Sequence, residues 1–200
     1  MVSIGSIVTH PAWLRITHWL NAIAALVMVF SGWRIYNASP IFSFTFPESL
    51  TMGGWLGGAL LWHFAAMWLL FLNGLLYLAF NIFSGRIRVK FFPLSIRAFF
   101  ADILAALRGQ LAHDDLAHYN MVQKFAYLFV IVDIAVSIVS GLAVWKSVQF
   151  PHLRALMGGF DTARIVHFIA MAALMLFFIV HIIMVGLVPR TLVAMLRGRA

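Results

Sequence analysis

Residues 165–188 read IVHFIAMAALMLFFIVHIIMVGLV, a run without one charged side chain that holds two histidines, His167 and His181. It is long enough to cross the hydrocarbon of a bilayer as a single helix. The fourteen residues between the histidines amount to nearly four turns, so both imidazoles fall on nearly one face, roughly 21 Å apart along the axis. Histidine is costly in hydrocarbon and usually marks a site. Two on one face point to two metal centres stacked across a membrane.

The rest of the chain agrees with a membrane setting. Of 200 residues, 64% are hydrophobic and only 10% charged, against about 25% charged in a soluble domain. We read residues 1–200 as one transmembrane domain. Cysteine is absent, which removes disulfides, thiolate-bound iron–sulfur clusters and covalently attached c-type haem. Any redox cofactor is then held non-covalently. The net charge of +8 does not imply nucleic acid, because the basic residues lie where membrane topology asks for them. Residues 1–10 lack the basic start of a cleavable signal, and no internal repeat stands out.

Four segments are long and apolar enough to span: about 14–36, 53–83, 119–145 and 162–188. All are expected to be helices, since open backbone cannot be satisfied in lipid. Residues 84–118 are too polar to span. Within them Ile96, Phe99, Phe100, Ile103, Leu104 and Leu107 recur at helical spacing, with Arg97 and Asp102 off that stripe. This predicts a helix lying in the membrane interface or, alternatively, one packed on the ends of the spans. Ten Lys and Arg residues sit at the N-terminus, central loop and C-terminus. The other side has only Arg34, Lys146, Arg154 and Arg164. The positive-inside rule then puts both termini in the cytoplasm of a bacterial inner-membrane protein. The expected fold is all-α: an integral-membrane up-down four-helix bundle with an interfacial helix in the cytoplasmic loop.

Topology sorts the histidines by depth. His18 on the first span and His181 on the fourth lie toward the cytoplasm, while His63 and His167 share the periplasmic half. Two bis-histidine pairs without a thiolate suit two b-type haems, electron carriers with no open coordination position; zinc would want three or four clustered ligands. Gly32 lies fourteen residues after His18 and Gly74 eleven after His63, each where its helix would pass the other macrocycle. Ordinary small-residue helix packing is the alternative for both.

These residues resemble a known family, the bacterial di-haem cytochrome b subunits of formate dehydrogenase and nickel–iron hydrogenase with the related cytochrome b-561 group. The matching positions are Arg15-Ile-Thr-His18-Trp19, Ser31-Gly32, Trp62-His63, Tyr119-Asn120, Gln123-Lys124, Gly141 through Trp145, and the His167/His181 spacing. The resemblance covers nearly the whole chain. It implies haem ligation by the four histidines and a quinone site at the start of the third span. There Asn120 matches the quinone-contacting asparagine, and Val122 stands where the family member has glycine. Read physically, Tyr119, Asn120 and Gln123 offer hydrogen-bonding groups to quinone carbonyls, or else they cap the third helix.

Asp133, an acid well inside the third span, departs from the family pattern. It is a candidate for a proton path or for a hydrogen bond to a neighbouring helix. Arg15, Lys124, Arg34 and Arg164 are candidates to hold haem propionates. His113 and His118, with Asp114 and Asp115, could move protons to a cytoplasmic quinone site.

The expected function is a membrane di-haem electron-transfer subunit of a respiratory oxidoreductase. Electrons would pass between a periplasmic molybdenum- or nickel-type partner and the quinone pool, within membrane lipid. No catalytic nucleophile or acid–base set is present. The alternatives are a standalone superoxide:quinone oxidoreductase, with Lys146, Arg154 and Arg164 as a basic funnel, and a haem-free anchor or transporter.

Overall fold

The computed structural model describes residues 10–109 and 119–198; His113, Asp114, Asp115 and His118 lie outside them. Among the described residues there is no strand. Four helices are long and apolar enough to span: α1 (Ala12–Ala38), α2 (Leu56–Phe83), α5 (Met121–Trp145) and α7 (Phe160–Leu187). Shorter ones connect or flank them: α3 (Arg86–Phe91), α4 (Ile96–Leu107), α6 (Pro151–Leu156) and α8 (Pro189–Arg197). At 1.5 Å per residue the four long helices reach about 38–42 Å, more than the roughly 30 Å of hydrocarbon they must cross. Their outward side chains suit lipid: Leu61, Leu72, Ile82, Ile169, Leu176 and Ile182 are all more than half exposed.

The chain divides into two compact units, one running to Ser84 and taking in the C-terminal residues from Met195, the other from Gly85 to Ala194. The first is built on the antiparallel pair α1 and α2. Ala24, Ala25 and Val29 of α1 and Ala59, Ala66 and Leu70 of α2 are buried. Small residues of this kind let two helix backbones approach closely where no hydrophobic effect drives association. Deeper along the pair, the buried Asn73 amide donates to the Thr17 carbonyl and to Asn21 Oδ1, each at 2.7 Å. The connection between α1 and α2 is tied down by side chains. Asn37 bonds both backbone groups of Phe46 at 2.8 and 2.9 Å, Arg34 pairs with Glu48 at 2.6 Å, and Trp33 stacks on Phe46 at 4.5 Å.

The second unit is built on α5 and α7, also antiparallel. Ala143, Ala163, Ala170 and Leu174 are buried, and Phe129 meets Phe177 at 6.4 Å. The amphipathic stretch of the central loop forms α4, started by Ser95 Oγ accepting from Ala98 N. Its observed contacts are those of the second expected arrangement, packing on the end of a span. Phe99 packs on Phe125 of α5 at 4.7 Å and Asp102 accepts from Met121 N at 2.7 Å, while Ile96, Phe100 and Leu104 stay exposed. A helix docked by one edge and apolar on the other is suited to the interface.

Candidate haem-ligating site

All four span histidines are half-buried, and two of them are held by the same local device. In the first unit, His63 of α2 faces Ser31 and Gly32 of α1. Its Nδ1 lies 3.1 Å from the Met28 carbonyl oxygen and 3.2 Å from Ser31 Oγ. The serine hydroxyl donates back to the Val27 carbonyl at 2.6 Å, so towards the ring it can only accept. In the second unit, His167 Nδ1 lies 3.0 Å from the Ser137 carbonyl and 3.1 Å from Ser140 Oγ. Ser140 in turn donates to the Val136 carbonyl at 2.7 Å.

A carbonyl oxygen has no proton to give, so this arrangement assigns the proton of both rings to Nδ1. Nε2 then keeps the lone pair. Iron wants such an imidazole: neutral, with its ligating nitrogen unprotonated and the other N–H fixed by a backbone acceptor that raises ligand basicity. The donor set therefore fits haem.

Glycine supplies the closeness. A Cβ on Gly32 would stand 3.5 Å from His63 Cε1, in ordinary contact, whereas one on Gly141 would stand 3.1 Å from His167 Cε1 and press on the ring. The role of Gly141, and of the two serines, was not apparent from the sequence. The signal that could have revealed it is a Ser-Gly pair inside a span, which occurs at 31–32 and again at 140–141.

Of the other two histidines, His18 meets Trp19 edge-on at 5.4 Å, and His181 stacks on Phe177 at 5.6 Å. Gly74 has open space where a Cβ would be. The propionate candidates have protein partners. Arg15 donates to the Leu196 carbonyl, Lys124 to the Pro93 carbonyl at 3.3 Å, Arg34 pairs with Glu48, and Arg164 stands 3.9 Å from Asp161.

At the start of α5, Asn120 Oδ1 accepts from Gln123 N at 2.8 Å, and Gln123 Oε1 accepts from Asn120 N at 3.1 Å. This reciprocal capping box employs only the two side-chain carbonyls; the amide NH2 groups take no part in it. Tyr119 stacks on Tyr127 at 5.0 Å, and Val122 is half-buried in the first turn. Asp133 is buried in the second unit.

Long apolar helices carrying imidazoles whose chemistry suits a metal fit one class, the multi-pass membrane proteins that bind b-type haem. The family model of prokaryotic cytochrome b561 matches residues 9–198, and the chain belongs to that family. It is also 65% identical over 189 residues, 94% of this chain and 96% of the relative, to the putative protein-methionine-sulfoxide reductase subunit YedZ1 of Azospira oryzae. No solved structure matches. The chain is accordingly a bacterial membrane haem b protein of electron transfer.

Proposed function

We propose that this protein is the membrane subunit that carries electrons from the quinol pool to a periplasmic reductase of oxidised methionine in proteins. The haem part rests on one observation: Nδ1 of both His63 and His167 faces a backbone carbonyl, which reserves Nε2 for iron. The partner part is supported by the YedZ1 relative. Reducing a methionine sulfoxide consumes two electrons and two protons and yields the thioether and water, so electrons leave the membrane toward the partner. That is the opposite direction to the one a formate dehydrogenase subunit serves.

In this reading two haems b are held, by His18 with His181 and by His63 with His167, in the pairing implied by the order of the spans. Bound haem supplies one-electron redox chemistry; the protein supplies ligation, orientation and a dry setting. Ser31, Ser140 and the two carbonyls orient the rings, and Gly32 and Gly141 let the facing helix come close enough for them to do so. Quinol meets the amide groups of Asn120 and Gln123 at the start of α5, on the cytoplasmic side if both termini are cytoplasmic. Resemblance to the hydrogenase and formate dehydrogenase assemblies favours a molybdenum- or nickel-type partner; the name of the relative supports protein-bound methionine sulfoxide as its substrate.

The test uses the detergent-purified chain. Pyridine haemochrome analysis should return about two haems b per chain. A short-chain quinol should reduce them anaerobically, and the purified partner with a methionine-sulfoxide peptide should reoxidise them. A colourless protein from haem-supplied cells would end the reading; haem that quinol cannot reduce would remove the quinone half of it.

A further inference from the structure

Between α5 and α7 lies an open groove of about 240 Å³, with Val132 and Ile169 on its rim more than half exposed. Phe129, Val132 and Val136 line it from α5, and Val166, Ile169 and Ala173 from α7; every other lining side chain is apolar too, with the single exception of Asp133. Asp133 is only 7% exposed, and its Oδ2 is buried with no hydrogen-bond partner among the described residues. Burying a carboxyl oxygen away from water without a partner is costly. Inside a membrane span such a group marks function by default.

The groove restricts what can satisfy that oxygen. Water needs two to four polar partners, and here it would find one side chain. An acyl chain has no polar atom to offer at this depth, and a lipid headgroup belongs at the surface. Pockets for drug-sized ligands measure about 300–1,000 Å³, so this smaller space suits a single ring system. The ligand must be ring-sized, apolar over most of its surface, equipped with an oxygen at its edge, and soluble in the bilayer.

We propose that this groove is a binding site for the head of an isoprenoid quinone or quinol, with Asp133 hydrogen-bonded to a ring oxygen, separate from the Tyr119–Gln123 stretch. The proposal rests on the quinone part of the proposed function. Position along the helices supports it. Asp133 lies one helical turn, about 6 Å along the axis, from Ser137, whose carbonyl holds His167 Nδ1. Val166 and Ala170 bracket His167 on α7. A head in the groove therefore sits beside the helix segment that presents His167.

The experiment photolabels the haem-loaded full chain in phospholipid nanodiscs with a short-tailed azidoquinone, and maps the modified peptides by mass spectrometry. Labels should fall on residues 129–136 and 166–173, and excess decylubiquinone should compete them away. They should persist in Asn120→Ala and drop at least fivefold in Ala173→Leu, which fills the groove and keeps the acid. Asp133→Leu serves as a second filling variant if Ala173→Leu loses haem. Labels confined to residues 119–123, labels that decylubiquinone cannot compete, absence of label, or indifference to both filling variants would each overturn the site. Quinol-driven haem reduction is read on the same sample. Reduction without groove labels sinks the groove alone, and groove labels without reduction sink only the electron-donor role.

Discussion

The α1/α2 and α5/α7 pairs solve one problem identically and another in opposite ways. Each holds a histidine by a serine, a glycine and the carbonyl three residues before the serine. Seven residues before each serine, the pairs part. The first has Ala24, buried and close-packed; the second has Asp133, buried beside an open groove. Ten residues beyond the histidine the contrast is repeated, with Asn73 bonded across to α1 and Phe177 in ring contact with α5. Imidazole clamping is thus a local device that can be set into any close helix pair. What lies two turns away is free to become either a sealed seam or a pocket.

The comparison can be broken at several points. The largest effect should come from the histidines. His63→Ala or His167→Ala should each lower haem content from about two to about one per chain, and the double variant should retain only the other centre, if any. Equal losses are expected if the two histidines share one haem; a variant that keeps both haems would break that pairing. Next comes glycine. Gly141→Ala should destabilise the haem-loaded protein by about 1–3 kcal/mol, the usual cost of overpacking, because its Cβ meets the His167 ring at 3.1 Å. Gly32→Ala, at 3.5 Å, should cost clearly less. Thermal loss of the Soret band measures both, and equal sensitivity would erase the asymmetry between the two sites.

The polar positions should differ in sign. Asn73→Leu removes two interhelical hydrogen bonds and should cost about 0.6–1.7 kcal/mol, the range found for such bonds in membranes. Asp133→Leu removes an acid whose Oδ2 has no partner among the described residues and fills space, so the ligand-free protein should be unchanged or more stable. Denaturation in mixed micelles separates the two. The smallest effect belongs to the serines. Ser31→Ala or Ser140→Ala leaves the carbonyl acceptor in place, so the loss of about 0.5 kcal/mol corresponds to a midpoint shift of about 20 mV at 59 mV per factor of ten. Redox titration of each variant would register it; a shift of a hundred millivolts or more would make the serine, and not the carbonyl, the dominant partner.

Much of the fold is legible in the sequence itself. The spans expected at about 14–36, 53–83, 119–145 and 162–188 are observed at Ala12–Ala38, Leu56–Phe83, Met121–Trp145 and Phe160–Leu187, with ends displaced by at most three residues. Hydrocarbon demands length and apolarity over a contiguous stretch, which a sequence displays directly. The central loop is legible as an amphipathic helix but not as one that docks by an edge. Phe99 and Phe100 are neighbours on one stripe, and only the presence of Phe125 decides which of them is covered. The site is half legible. Four histidines inside spans stand out by their cost, whereas the recurrence of Ser-Gly at 31–32 and 140–141 does not register as a repeat, because two common residues carry little information on their own.

The sequence alone determined the number of spans, the four imidazoles and the exclusion of thiolate chemistry. Each depends on composition and on helical periodicity within one segment. Tertiary structure alone decided which nitrogen of His63 and His167 carries the proton, that Asn73 has partners, and that Asp133 Oδ2 has none among the described residues. Those are properties of pairs of helix faces. A residue on one helix cannot show which carbonyl, hydroxyl or empty space a helix many residues away will bring against it.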